Sequence, residues 1–519
     1  MIKSIQILVD PLIYLDETLF QSFLRQQLNL SKEQRFEYNV RKRSIDARGR
    51  KVRFALHVDC YINEKKPEFK PVHLPDNDVS KAKEVHIVGA GPAGLFAAIK
   101  LIGQGLKPVI IERGKPVKER RRDLANLTKN HIVNPDSNYC FGEGGAGTYS
   151  DGKLYTRSNK RGDVDAVLNT FIAFGANPEI AIDARPHIGT NKLPQIIEKM
   201  REYILMCGGE ILFDTRFTDL HTNFGALHQI ELSGGVKLIC NNLILATGHS
   251  ADDIYRLLYN RNIKIEAKPF ALGVRTEHRQ EFIDSTQYHC AVRPDYLPPA
   301  YYSLVTQVEG GGVYSFCMCP GGIIAPCSTE SGLVVTNGWS PSKRNNPYSN
   351  SGIVTEISLQ DLSQLDDLEK NPLVGLEFRR SIEKVACDLA GGTQKAPAQN
   401  IADFIQNKVS KALPLCSYTP GIESVDLKEV LPGFVHQRLK KAFIDFEKKI
   451  KGWAGAEAVA VAVESRTSSP IRIPRNPHTL QHIQVAGLYP CAEGAGFAGG
   501  IASAAIDGMR CAEQIVLVR

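Results

Sequence analysis

The first eighty residues alternate between apolar and polar positions in short segments, which is typical of a small α/β unit. Residues 5–9 alternate as a strand does, and residues 17–28 place Leu19, Phe20, Phe23 and Leu24 at helical spacing. Residues 36–44 and 52–61 alternate again on either side of a glycine-containing turn, which predicts two paired strands. We therefore predict a small N-terminal α/β domain of ferredoxin-like type over residues 1–78, with a polar linker within residues 64–83.

Residues 84–111 have the order strand, glycine-rich turn, apolar helix and strand, which is a βαβ unit. Residues 113–138 are charged and expected to be largely exposed, a helix is predicted over 192–206, and strands are predicted over 210–217 and 243–248. Mixed strands and turns follow between 268 and 460, before a strand, a glycine-rich loop and a helix over 500–516. We predict an α/β fold in which a discontinuous binding domain (81–266 and 461–519) carries an inserted mixed α+β cap domain (267–460).

The composition is that of a globular protein, with 43% hydrophobic and 23% charged residues. The net charge of +7 is small for 519 residues, and most of the excess lies within 32–53, where nine Lys or Arg face three Asp or Glu. No apolar stretch is long enough to span a membrane or to act as a signal peptide. Because the twelve cysteines include no CxxC pair, we expect reduced thiols and a cytoplasmic protein.

The turn of the βαβ unit carries a GxGxxG sequence, which predicts a dinucleotide site. Gly89 permits the tight turn, Gly91 lets the backbone approach a pyrophosphate, and Gly94 allows the helix to pack closely on the strand. The helix N-terminus, which includes Pro92 and Ala93, then faces the phosphates.

The second strand of the βαβ unit ends in an acidic residue at the position that a nucleotide site requires. Glu112 lies 23 positions after Gly89, where a carboxylate accepts hydrogen bonds from the adenosine ribose. We include the adjacent Arg113 in the predicted site.

Five glycines within residues 142–152 leave backbone amides uncovered, which suits an anionic or planar ligand. A flexible surface loop is the alternative interpretation. The predicted contacts from this segment are Gly144, Gly145, Ser150, Asp151, Gly152 and Lys153.

Two later segments add to the predicted site. Thr247 and Gly248 end a strand with small residues that let the chain pass close to a nucleotide, and residues 488–501 form a glycine-rich loop before a second helix N-terminus. The predicted contacts from that loop are Glu493, Gly494, Ala495, Gly499, Gly500 and Ile501.

Taken together, these segments resemble the two-dinucleotide-binding-domain flavoprotein superfamily. From about residue 83 onward the chain resembles more closely the bacterial FAD-dependent dehydrogenase family often labelled "NAD-utilizing dehydrogenases". The motifs that carry this resemblance are GEGGAGTYSDGKL, YSFCMCPGG, VVTNGWS, ESRTSSP and EGAGFAGGI. The resemblance implies a Rossmann-like, glutathione-reductase-like domain with non-covalent FAD, Glu493 near the ribityl chain and Phe217 beside the adenine.

Several residues have two open interpretations. Cys317 and Cys319 would point to one face of a strand and are either redox-active or, as we favour, buried inert thiols. Arg466 either binds a substrate carboxylate or the flavin edge, or forms a structural ion pair. His249 is either a general acid or base or a turn histidine without a catalytic role. No metal site and no catalytic residue is assigned.

The basic N-terminal hairpin, from Arg41 to Arg53, either meets RNA phosphates or is a solvated face, and the absence of interleaved aromatic residues favours the second. The sequence therefore predicts an FAD-dependent oxidoreductase acting on a small organic molecule. NAD(P)H is a further candidate substrate, and it would dock over the flavin against the cap domain, because only one Rossmann fingerprint is present. The alternatives are an RNA-directed flavoenzyme and a non-enzymatic flavin sensor. The oligomeric state is not predicted.

Overall fold

The fold is known from a computed structural model that describes residues 1–68, 72–155 and 162–517. The predicted domain ranges also include residues 69–71, 156–161 and 518–519, which lie outside the described residues. The N-terminal elements are β1 (Ile2–Val9), α1 (Pro11–Leu15), α2 (Glu17–Gln27), β2 (Phe36–Asp46) and β3 (Arg53–Ile62).

The N-terminal elements form an antiparallel sheet in the order β1-β3-β2, against which α2 buries Phe20 and Leu24. A ferredoxin-like fold repeats its strand–helix–strand unit and has a four-stranded sheet. The described residues of this unit contain three strands, so they do not show the ferredoxin-like arrangement.

One residue of the basic hairpin, Arg43, holds the N-terminal sheet against the rest of the chain. Arg43 forms ion pairs with Asp183 at 2.8 Å and Glu179 at 3.1 Å, and its backbone N–H donates to the Ile182 carbonyl. Arg48 pairs with Asp46 at 2.7 Å in the hairpin itself. Arg43 is therefore committed to an internal contact and is not free for a phosphate.

Residues 84–260 follow the predicted βαβ pattern and then extend it. Their elements are β4 (Glu84–Val88), α3 (Pro92–Gly103), β5 (Lys107–Ile111), α4 (Val117–Asn130), α5 (Val164–Ala173), α6 (Leu193–Met206), β6 (Glu210–Leu212), β7 (Phe217–Asn223), β8 (Ala226–Leu232), β9 (Lys237–Ile239), β10 (Leu243–Leu245) and α7 (Asp252–Asn260). The strand predicted over 210–217 is two strands, because Asp214 adopts a φ of +50° and turns the chain between them.

The prediction that residues 113–138 are largely exposed is wrong for Arg120, which is fully buried within α4. Its guanidinium donates hydrogen bonds to the backbone carbonyls of Asn138, Tyr139 and Glu143 at 2.8–3.0 Å. These bonds replace water around the charge, so the arginine stabilises the loop that follows α4.

Residues 266–464 are built around a larger sheet. Their elements are β11 (Glu266–Ala267), β12 (Phe270–Arg279), α8 (Gln280–Tyr288), β13 (Val305–Val308), β14 (Gly311–Cys319), β15 (Ile323–Pro326), β16 (Thr336–Trp339), β17 (Tyr348–Ile357), α9 (Leu359–Ser363), α10 (Val374–Leu389), β18 (Ala396–Asn400), α11 (Ile401–Gln406), β19 (Ile422–Ser424), α12 (Leu427–Val430), α13 (Gly433–Lys449) and β20 (Val459–Glu464). Seven strands pair in the order β13-β14-β17-β12-β20-β18-β19, so this sheet continues through β20, past residue 460.

The last segment returns to the first sheet. It contributes β21 (Ile471–Arg472), β22 (Leu488–Pro490) and α14 (Ile501–Leu517). A parallel five-stranded sheet has the order β22-β10-β4-β5-β6, so strands from both ends of the chain share it. Helices α3 and α14 cross closely, since a Cβ on Gly508 would lie 2.0 Å from the Ala93 carbonyl oxygen. Among the described residues, no helix combines the length and apolarity needed to cross a membrane.

The seven-stranded sheet carries a buried carboxyl group that predicts a pH-dependent stability. Burial raises the pKa of Glu277 on β12 to about 7, against opposing hydrogen bonds from the Ser417 hydroxyl and backbone N–H. Between the ordinary value of 4.5 and about 7, the folded state therefore holds a proton that the unfolded state has released.

We expect the wild-type free energy of unfolding to fall relative to that of Glu277→Gln as the pH rises from about 5 to about 8, because only the wild type must bury an ionised carboxylate. Urea unfolding at stepped pH measures the difference. The control is Glu281→Gln, a change at an exposed position at the start of the neighbouring helix. Parallel pH profiles for wild type and Glu277→Gln would contradict this expectation.

Candidate functional site

A cleft lies at the carboxyl edge of the parallel sheet, where β4, β5 and β10 end. In open α/β sheets, ligands bind at this edge because loops and helix N-termini converge there. The predicted residues that line the cleft are Gly89, Gly91, Pro92, Ala93, Glu112, Arg113, Gly145, Phe217, Thr247, Gly248, Glu493, Gly500 and Ile501.

The three glycines of the βαβ turn differ in how closely other atoms approach them. Gly89 has a φ of +105°, and a Cβ there would lie 2.4 Å from the Ala246 carbonyl oxygen. A Cβ on Gly94 would lie 1.9 Å from the Gly89 carbonyl oxygen. At Gly91 the backbone is extended, and the atom nearest to an added Cβ is the Gly145 Cα at 3.8 Å. Gly89 and Gly94 therefore permit close backbone packing, whereas Gly91 leaves the cleft wall bare.

Two helices begin at the cleft. Helix α3 starts at Pro92 and α14 starts at Ile501, and both residues lie in the cleft wall. A Cβ on Gly499 or Gly500 would meet no atom within 4 Å, so the approach to α14 is open. The unpaired N–H groups and partial positive charge at the start of each helix suit the phosphates or other electron-rich groups of a ligand.

The Glu112 carboxylate joins the chain segments around the cleft. One oxygen accepts the Ala90 N–H at 2.8 Å, and the other accepts the N–H groups of Gly114 and Gly142, both at 2.9 Å. A carboxylate offers about four acceptor positions, so one remains for a hydroxyl group of a ligand. Glu112 thus fixes the site and also presents an acceptor to it.

Arg113 is held in the wall rather than left as a free cation. Its guanidinium bonds to Asp136 and Asp253, both at 3.0 Å, and its centre lies 4.4 Å from the centroid of the Phe141 ring. Two carboxylates compensate its charge, so its contribution is mainly to the shape of the wall beside Phe141.

His249 and Glu493 bring together the chain after β10 and the loop before α14. The His249 Nδ1 and the Glu493 Oε2 lie 2.9 Å apart. Burial opposes ionisation of Glu493, but the hydrogen bond and charge of His249 outweigh it and lower the pKa of the carboxyl. Glu493 is therefore an anion at neutral pH, and it orients the imidazole at the cleft.

A second cavity adjoins the cleft, with Cys140, Ala146 and His249 in both walls and residues of the paired strands β15 and β16 on its far side. Its remaining walls combine aromatic, thiol and polar side chains. They are Tyr139, Tyr149, Ser150, Ala325, Cys327, Val335, Thr336, Asn337, Gly338, Trp339 and Arg466.

The other predicted contacts lie outside the cleft wall. Ser150 lines the second cavity, and Gly94 and Gly494 pack on the backbone of Gly89 and Gly248. Ala495 is fully buried, while Gly144 and Gly499 lie near the cleft without lining it. Asp151, Gly152 and Lys153 turn away from the cleft: Asp151 pairs with Arg344 at 2.8 Å, Gly152 packs against Ile188 and Gly189, and Lys153 contacts Cys319.

The prediction for Cys317 and Cys319 is wrong in its geometry. A register shift between Phe316 and Cys319 interrupts β14, and Cys317 adopts a φ of +48°. Cys317 is consequently exposed, whereas Cys319 is buried and accepts a hydrogen bond from the Lys153 ammonium at 3.6 Å. The two thiols therefore do not share one buried face.

Arg466 forms the structural ion pair that was one of its two interpretations. Its Nη2 lies 2.9 Å from Glu383, its Nε lies 3.1 Å from the same carboxylate, and its Nη1 donates to the Thr329 hydroxyl. It also lines the second cavity. The ion pair thus holds a guanidinium in place at that wall.

The cleft contains residues that sequence reasoning missed. Thr215, Arg216, Phe141, Asp253 and Cys140 lie in its wall. The position of Phe141 beside the glycine-rich segment is a signal that was available in the sequence. The turn from 215 to 217 reaches the cleft because β6 ends early, which the apolar pattern did not show.

Comparison with known proteins places the chain in a family. It is 41% identical over 520 residues to an uncharacterized protein of Clostridium beijerinckii, with 96% of each chain covered. Residues 269–467 match the family model described as "FAD-dependent protein, C-terminal domain-like", and residues 1–61 match a domain of unknown function.

Two solved structures are similar over 84% of this chain at low identity. CtdE in complex with FAD matches at 11% identity over 84% of its own chain, with a TM-score of 0.33. L-proline dehydrogenase from P. horikoshii matches at 12% identity over 94% of its chain, also with a TM-score of 0.33.

Proposed function

The chain belongs to the family of the Clostridium beijerinckii protein that it matches over almost its whole length, and we propose that it is an FAD-dependent oxidoreductase. The observation that carries the proposal is that the glycine turn before α3, the Glu112 carboxylate and the glycine loop before α14 meet in one cleft. The family model over residues 269–467, whose description names FAD, supports the same cofactor.

The residues in the cleft fit the parts of FAD. The bare backbone at Gly91 and the start of α3 would receive the pyrophosphate, and Glu112 has an acceptor free for the adenosine ribose. Phe217 would flank the adenine. Glu493 would accept a hydrogen bond from the ribityl chain, beside the open start of α14.

When bound, FAD supplies a two-electron acceptor that can take a hydride from an organic substrate or from NAD(P)H. The chain would hold that substrate in the second cavity, since this space adjoins the cleft and is lined by aromatic and polar groups. Because the Nδ1 of His249 is engaged by Glu493, its Nε2 remains for a substrate proton. The cavity is consistent with a small organic substrate rather than a macromolecule.

The test is to purify the protein and record its visible spectrum. A yellow protein that releases FAD on denaturation supports the proposal, and a colourless protein that takes up no added FAD rejects it. The bound flavin is then exposed anaerobically to NADH, NADPH and a panel of amino acids, alcohols and amines. Bleaching identifies the donor. A flavin that no donor reduces at a useful rate would favour a sensor over an enzyme.

We expect Glu493→Ala to weaken FAD binding by about 10- to 100-fold, because a hydrogen bond to a charged group contributes about 1.5–3 kcal/mol. Equilibrium titration of the apoprotein with FAD measures the change. The control is Glu513→Ala, which removes a carboxylate of α14 that pairs with Lys100 at the surface. Equal FAD affinities for the two variants would show that Glu493 does not contact the cofactor.

A further inference from the structure

The second cavity places two cysteines from different parts of the fold side by side. Cys140 lies in the loop after α4, and Cys327 directly follows β15 of the inserted region. The Cys140 thiol donates to the Cys327 carbonyl oxygen at 3.7 Å. Both residues line the second cavity, and Cys140 also lines the cleft. This thiol contact therefore bridges the two parts of the fold, at the junction of the two spaces.

The surroundings of Cys327 favour its neutral thiol at rest. Cys327 is buried, and burial together with the neighbouring Cys140 thiol raises its pKa well above the ordinary value, although Arg275 and Arg466 oppose the rise. Arg466 is held in the same cavity wall by Glu383, and it opposes this rise without reversing it. Cys140 is half-buried and shares the cleft wall with His249.

We propose that Cys140 and Cys327 are a redox-active dithiol that exchanges two electrons with the flavin bound in the adjoining cleft. On oxidation both S–H bonds break, one S–S bond forms, and two electrons pass to oxidised FAD. Reduced FAD takes up one of the two protons, and the imidazole of His249 accepts the other. Reduction of the disulfide reverses each of these changes. The identity of the electron acceptor rests on the proposed function, whereas the pairing of the cysteines does not.

The test combines a peptide map with a redox titration of the purified holoenzyme. After mild oxidation with diamide, mass spectrometry of the unreduced digest should find Cys140 linked to Cys327. Anaerobic titration of this oxidised protein with dithionite should consume about four electrons per flavin, two for FAD and two for the disulfide. Cys140→Ser and Cys327→Ser should each consume about two.

Cys317→Ser is the matched control, because Cys317 is exposed and lies outside both cavity walls. It should consume about four electrons per flavin, as the wild type does. If a serine variant fails to fold, the corresponding alanine variant takes its place, and the peptide map of the wild type gives an independent reading.

The outcomes separate this proposal from the proposed function. Flavin-containing wild type that consumes about two electrons, with both cysteines free in the map, overturns the dithiol. A map in which diamide links Cys317 to Cys319 and leaves Cys140 and Cys327 free overturns it as well. A protein without flavin contradicts the proposed function, and the diamide map then still decides whether Cys140 and Cys327 pair.

Discussion

Gly91→Val is expected to yield a folded protein that has lost FAD. The backbone at Gly91 has φ −76° and ψ −176°, which valine adopts without strain. The nearest atom to the new Cβ would be the Gly145 Cα at 3.8 Å, so the side chain would occupy the cleft rather than the protein core. We expect FAD affinity to fall by at least about 100-fold, which is about 2.7 kcal/mol. Cofactor content and FAD titration measure this loss.

Two further glycine substitutions serve as controls for Gly91→Val. Gly94→Val would place its Cβ 1.9 Å from the Gly89 carbonyl oxygen, and backbone cannot move aside cheaply, so we expect a loss of more than about 3 kcal/mol in unfolding free energy. Gly49→Val, at an exposed turn, should change neither stability nor cofactor content. If Gly91→Val retained FAD with wild-type affinity, the pyrophosphate would not lie against this turn.

Glu383→Ala is expected to lower the free energy of unfolding by about 3–5 kcal/mol, because it leaves the buried Arg466 guanidinium without its carboxylate. Glu383 is fully buried on α10 and accepts from Arg466 at 2.9 Å and from the Ser465 hydroxyl at 2.6 Å. Arg379 lies 3.6 Å from the same carboxylate. Chemical denaturation of wild type and variant, both with FAD bound, measures the loss.

The neighbouring residue provides the control for this prediction. Lys384 pairs with Asp388 at 2.7 Å on the exposed face of α10, and Lys384→Ala should cost less than about 1 kcal/mol. A comparable loss in the two variants would show that the buried network around Glu383 contributes no more than a surface pair. Loss of FAD without loss of stability in Glu383→Ala would instead place its main effect at the second cavity.

The glycine-rich segment over 142–152 shows where sequence reasoning reached its limit. Its first part approaches the cleft as predicted, with Gly145 facing Gly91. Its last part turns away, because Asp151 pairs with Arg344 and Lys153 contacts Cys319. Their partners lie more than 160 positions later in the chain, so no local pattern could identify them.

The burial of a charged side chain was also not predictable from the sequence. The side chain of Arg120 stands in a run of three arginines and is indistinguishable from its neighbours by composition. It is buried because the loop after α4 returns over it and offers three carbonyl oxygens. A guanidinium can be buried only where such acceptors converge, and that convergence is a tertiary property.

The sequence by itself determined the βαβ turn, the position of Glu112 and the two helix N-termini, because each depends on residues a few positions apart or on strand and helix periodicity. It also indicated that the two ends of the chain contribute to one binding domain. Only the tertiary structure decided that His249 contacts Glu493, that Arg466 is fixed by Glu383, and that Cys140 meets Cys327 beside the cleft. Those contacts join residues 83 to 244 positions apart. The pairing of β10 with β22 brings His249 to Glu493, and the packing of α10 on β20 brings Glu383 to Arg466. No local pattern in the sequence records either contact.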